Sequence, residues 1–132
     1  MSEDSFNEAP LELERLSKLS ADERFTVWAE YEASSSLEAL PDIKVHLRRV
    51  KATYAKKRTE LRSQICSNNT VKDFCLNERV KSRRTAGLAV VDILLPSVGL
   101  IPACVIASQL LEEGFQSLCA EIWKGEQEKA QK

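Results

Sequence analysis

From Ile93 to Leu111 the chain runs nineteen residues without a charged side chain, and Pro96, Gly99 and Pro102 interrupt that run. Nineteen uncharged residues approach the roughly 20 that an α-helix needs to cross a bilayer. Lys81, Arg83 and Arg84 precede the stretch, as expected on the cytoplasmic side of a span. Proline removes a backbone donor and clashes with the preceding turn, so two prolines around a glycine favour a loop over a continuous helix. The apolar stretch also starts earlier, at Ala86, and then contains Asp92, a costly residue at mid-depth in lipid.

Past Pro102 the pattern is helical in one phase. Cys104, Ala107, Leu111, Phe115, Leu118 and Ile122 form an apolar stripe, with Ser108, Gln109, Glu112, Glu113, Gln116, Ser117 and Glu121 opposite. The polar face begins inside the apolar run, which suits a helix half-buried in a bundle. These features predict an apolar hairpin: a helix over 85–95, a loop over 96–101 set by Pro96, Gly99 and Pro102, and a helix over 102–124, with Gly114 inside it for close packing.

The rest of the chain also reads as helix. Pro10 fits a first helical position, with Leu11, Leu13, Leu16 and Leu19 behind it. Ser20 and Glu23 form a capping box for a helix carrying Phe25, Trp28 and Tyr31. "SSS" at 34–36 reads as a loop, with Ser36 as a cap before Pro41. From Pro41 to Cys66 one stripe holds Ile43, Leu47, Val50, Tyr54, Leu61 and Ile65, nearly a heptad seam, and Lys57 fills the one gap. "SNNT" ends this long helix, and Asn69 or Thr70 caps another carrying Val71, Phe74, Cys75 and Val80. No stretch alternates as a strand would. The expectation is an all-α fold: one helical domain over 1–132, a bundle of about five helices with a long central amphipathic helix and a C-terminal apolar hairpin. Polar tails at 1–8 and 125–132 are expected to fray.

The net charge of −1 conceals a segmented chain. Residues 1–40 hold ten acids and three bases, residues 41–84 four acids and thirteen bases, and residues 85–132 six acids and three bases. Lys44, Arg48, Lys51, Arg58 and Arg62 make a basic stripe beside the apolar seam. The nearest expected partner is the acidic N-terminal segment; anionic lipid and nucleic acid follow.

Residues for catalysis or metal binding are sparse. His46 is the only histidine, and no C-x-x-C pair accompanies Cys66, Cys75, Cys104 and Cys119. The acidic start "MSEDSFNEAP" lacks the apolar core of a signal peptide, which makes a cytoplasmic chain with reduced, buried cysteines the expectation. Cys66 and Cys75 flank a turn and are the pair placed to approach each other. The "NNT" sequon at 68–70 then stays unused. Asp92, within "LAVVDILL", is expected to be buried and paired with an arginine such as Arg83 or Arg84, or else to titrate as a trigger.

No catalytic or metal-ligating residue, cofactor or small-molecule substrate follows from these patterns. The leading expectation is a non-catalytic helical interaction or assembly module, oligomeric, whose partner is a helix of the same or another protein. The seam and aromatics such as Trp28 and Trp123 would form its contacts. The alternative is a membrane-anchored or membrane-inserting protein using residues 86–111. A nucleic-acid-binding accessory protein using the basic region 44–84 is a second alternative.

Overall fold

A computed structural model describes residues 2–35, 43–77 and 83–130, with side chains placed over 8–34, 43–75 and 83–125. Expectations for Ser36, Pro41, Val80 and Lys81 lie outside the described residues. What is described is helical, with no strand: α1 (Ser2–Ser17), α2 (Ala21–Ser35), α3 (Ile43–Glu60), α4 (Arg62–Ser67), α5 (Asn69–Lys72), a π-helical turn (Asp73–Asn77), α6 (Arg83–Val98), α7 (Leu100–Glu113) and α8 (Phe115–Ala130). The all-α expectation holds at this level. The division into about five helices does not, because local breaks split the long segments.

The first break pinches the expected 41–66 helix at Leu61, whose backbone relaxes to φ −101° and ψ 4°. The ladder almost continues, with Leu61 N–H donating to Lys57 O and Ile65 N–H to Leu61 O, each at 2.9 Å. The bend lets α3 pack on α2 while α4 packs on α8. Asn68, rather than Asn69 or Thr70, then caps α5, its side chain accepting from Thr70 N–H and Val71 N–H at 3.0 and 3.1 Å.

The expected loop over 96–101 shrinks to Gly99 alone. Pro96 lies inside the last turn of α6. Its missing hydrogen bond would have gone to the carbonyl of Asp92, and both residues are exposed, so water can satisfy that carbonyl. Pro102 falls in the first turn of α7, where its absent N–H would lack an intrahelical partner anyway. Gly99 adopts φ 87° and ψ 174°, a region open essentially to glycine. Gly114, at φ 91°, ends α7 and starts α8, instead of lying within one helix over 102–124. Pro10 lies within α1 rather than at its start, and helix extends to Ser2 and to Ala130, into both stretches expected to be irregular.

α7 is the centre of the core. All nine residues from Pro102 to Leu110 are buried, and α1, α2, α6 and α8 pack around it. A helix apolar nearly all round gains most when every side is covered. Leu13 and Leu16 reach the core from α1, Phe25, Trp28 and Ala29 from α2, and Val90, Val91 and Leu94 from α6. At Gly87 the close approach is specific: an added Cβ would lie 2.7 Å from Leu13 Cδ2 and 2.9 Å from Leu111 Cδ1. No described helix is long and apolar enough to cross a membrane.

Candidate functional site

The capping box forms as its spacing predicts. Ser20 N–H donates to Glu23 Oε1 at 3.0 Å, and Glu23 N–H donates to Ser20 Oγ at 3.2 Å. These bonds hold the Glu23 carboxyl below its ordinary value of 4.5. The box starts α2 so that Arg24, the next residue, points inward and is buried.

Arg24 joins three helices. Its Nε donates to Leu16 O at 2.8 Å, and Nη2 donates to Ser17 O at 3.2 Å, at the C-terminal end of α1. Its Nη1 donates to Gln109 Oε1 at 2.9 Å and to Glu112 Oε2 at 2.7 Å, on α7. The network continues through Glu113, whose Oε2 accepts from Gln109 Nε2 at 2.9 Å and from the Tyr54 hydroxyl at 2.7 Å. Arg58 closes it, 3.6 Å from Glu113 Oε1. Burial, and then the Glu113 carboxylate beside it, push the Tyr54 hydroxyl above its ordinary value of 10.0. Ser108 and Gln109, expected on a solvent-facing side of the last helix, are thus buried, because Arg24 and Glu113 satisfy Gln109 inside the protein. Arg24 carries no sign of burial in the sequence beyond the capping box directly before it, and Gln109 reads there only as part of a polar face.

The seam residues divide. Val50, Tyr54 and Ile65 are buried, Leu47 and Leu61 are half-buried, and Ile43 is exposed. Tyr54 also meets Phe25 edge-on, with ring centroids 5.3 Å apart. The inner part of the seam is therefore consumed within the chain. Trp28 and Trp123, expected as contact aromatics, are buried too, and Trp123 Nε1 donates to Cys66 O at 2.8 Å.

The basic stripe divides as well. Lys51 lies 3.4 Å from Asp22, as a partner in the acidic N-terminal segment requires. Arg58 and Arg62 turn instead to the C-terminal acids: Arg58 to Glu113, and Arg62 to Glu121 at 3.5 Å, with Arg62 Nε donating to Leu118 O at 2.7 Å. Lys44 and Arg48 are exposed, as is Arg49 beside them. Arg48 and Arg49 have no ion pair or hydrogen bond among the described residues.

Asp92 corrects the expectation of a buried carboxylate. It sits on the exposed side of α6, and Arg83 instead donates from Nη2 to Leu111 O at 2.9 Å. His46 is buried, its Nδ1 3.7 Å from Glu32 Oε2. Neither atom has a hydrogen-bond partner among the described residues. Cys66 is joined to Cys119 in a disulfide between α4 and α8, with a Cα separation of 5.4 Å, so the expectation of reduced thiols fails for this pair. Cys75 and Cys104 are free, and Cys75 does not approach Cys66 as a partner.

Among the described residues, two surface clefts accompany these features. One, of about 440 Å³, is lined by Leu13, Glu14, Ser17, Arg83, Arg84 and Leu111. The other, of about 430 Å³, lies between α3 and α8 around Arg58, Arg62 and Glu121. No group of three or more potential metal ligands comes together among the described residues. No family model, curated protein or solved structure matches the chain.

Proposed function

We propose that this chain is a non-catalytic helical interaction module whose contact surface is the outer face of α3. The observation that carries this reading is the charge of that helix. Ile43–Glu60 holds seven lysines and arginines against one acid, in a chain of net charge −1. Its inner face is spent on the core through Val50 and Tyr54, while Arg48 and Arg49 are exposed. A concentrated charge of one sign steers partners and costs stability through self-repulsion, so its retention suits binding.

A heterologous partner fits this face better than a second copy of it, because two such faces repel. Polyanion binding, as in a nucleic-acid accessory protein, is the second reading supported by the same charge. The Cys66–Cys119 bond suits an oxidising compartment and weighs against the cytoplasm as the default location.

A photo-crosslinking residue at position 52, in the middle of the face, tests the module in cells that express it. The expected result is discrete protein adducts at 52, absent with the same residue at exposed position 92 on α6, and lost in Arg49→Glu/Lys56→Glu. Adducts at 52 no stronger than at 92 would overturn the reading.

A further inference from the structure

The outer face of α3 has a structure of its own beyond its net charge. The buried residues His46, Val50 and Tyr54 define its inner side. At 3.6 residues per turn, the line opposite them runs through Val45, Ala52 and Thr59, with Ala55 adjoining. All four are exposed. This ridge is short-chained and largely apolar, and it runs for about 21 Å. Bases flank it on both sides: Lys44 and Lys51 along one edge, Arg49 and Lys56 along the other, with Arg48 set into the ridge. The one acid of α3, Glu60, stands at its end, where it meets Lys56 and Lys57 at 3.8 and 3.4 Å.

We infer that this face docks an acidic amphipathic helix of a partner protein. The inference rests on the module reading above and names its partner class. Past Arg48, the small residues Ala52, Ala55 and Thr59 let a second helix axis come close. Bases on both edges occupy the positions that set partner choice in paired helices, and they call for Glu or Asp opposite. A phosphate backbone would be met best by a row of bases along the centre of the face, and there Arg48 stands alone among Val45, Ala52, Ala55 and Thr59. A lipid surface would need large apolar side chains, and on the ridge Val45, at one end, is the single side chain larger than Ala or Thr that is apolar. A second copy of the same face brings like charges together.

The test uses the full chain and a synthetic helix of about four turns, with Leu and Ala along one stripe and Glu on both edges. Its controls are the same residues reshuffled, a short DNA duplex, and vesicles of phosphatidylserine with phosphatidylcholine. Fluorescence anisotropy, or co-sedimentation for the vesicles, should show the acidic helix binding at least about tenfold tighter than any control. Arg49→Glu/Lys56→Glu should weaken that binding by about tenfold or more, and a Lys-edged version of the helix should bind this double variant. Ala52→Arg separates shape from charge: it should weaken the acidic helix by blocking close approach, whereas a polyanion would gain from the added charge. All of these positions are exposed, and circular dichroism checks that the fold is retained.

Equal or tighter binding of the reshuffled peptide, DNA or vesicles would overturn the inference, as would stronger binding by Ala52→Arg. If crosslinks form at position 52 in cells but the acidic helix does not bind, the partner class is wrong and the module reading stands. If no crosslinks form there, the module reading itself fails.

Discussion

Arg24 Nη1 donates to Gln109 Oε1 at 2.9 Å, joining residues 85 positions apart in the chain. Both side chains are buried, and together they decide how α1, α2 and α7 meet. A buried guanidinium is tolerable only when its donors are used, and here three of its nitrogens reach four oxygens.

Arg24→Met should therefore destabilise the protein by about 3 kcal/mol, because Gln109 and the carbonyls at the end of α1 lose their donor. Arg24→Lys should also be costly, since an ammonium cannot span the same oxygens. Urea denaturation near neutral pH measures both. A loss below about 1 kcal/mol for Arg24→Met would mean that the junction contributes orientation and little stability.

The phase of α3 gives a paired prediction. Val50 is fully buried, whereas Val45 is 48% exposed. Val50→Asp should cost several kcal/mol, or unfold the chain, by burying an unpaired charge. Val45→Asp should change stability by no more than about 0.5 kcal/mol. Thermal melts followed by circular dichroism compare the two, and equal effects would contradict the placement of α3.

The Cys66–Cys119 disulfide closes a loop spanning 53 residues. Cross-linking a loop of that length restricts the unfolded chain, and its loss should cost about 4 kcal/mol. Cys66→Ala/Cys119→Ala, or reduction, should lower the melting temperature. Thiol titration of denatured, unreduced protein should find the two free cysteines, Cys75 and Cys104, and all four after reduction. Four thiols before reduction would show that the bond does not form.

Stability should fall on the alkaline side. Burial, with a smaller effect from the Glu12 charge, pushes the Cys104 thiol from 9.0 up to about 12. The Tyr54 hydroxyl is raised in the same direction. The folded protein therefore holds both protons more tightly than the unfolded chain. Their contribution is complete below about pH 9 and is lost as pH rises towards 12, since the unfolded state then binds fewer protons. Urea midpoints from about pH 8 to 11 should decline, and Cys104→Ala with Tyr54→Phe should flatten the decline.

Helix content, the Ser20–Glu23 box and the inward phase of Val50, Tyr54 and Ile65 were legible in the sequence, because each depends on spacing within a few turns of one segment. Lys44, Arg48, Lys51, Arg58 and Arg62 were legible as a basic stripe, but which of them remain exposed was not. Pro96 misled because a missing hydrogen bond is expensive only where water cannot replace it, and Asp92 and Pro96 are both exposed. Gly99 was legible as part of the turn, whereas Gly114 gave no local sign that it would end α7.

The centre of the fold was decided by tertiary structure. Ser108 and Gln109 read as a polar face because periodicity registers what a side chain is, and not what a distant segment offers it. Once Arg24 and Glu113 supply partners, Gln109 loses its need for water, and α7 can be enclosed on every side. Asp92 shows the converse: an apolar local sequence leaves it exposed, because α6 turns its other faces to the core. The Cys66–Cys119 pairing lies equally beyond local reading, since it depends on where α8 returns to α4. A residue's burial follows from the sum of its desolvation cost and the hydrogen bonds, charges and surfaces that remote segments bring to it, and only the folded chain brings those together.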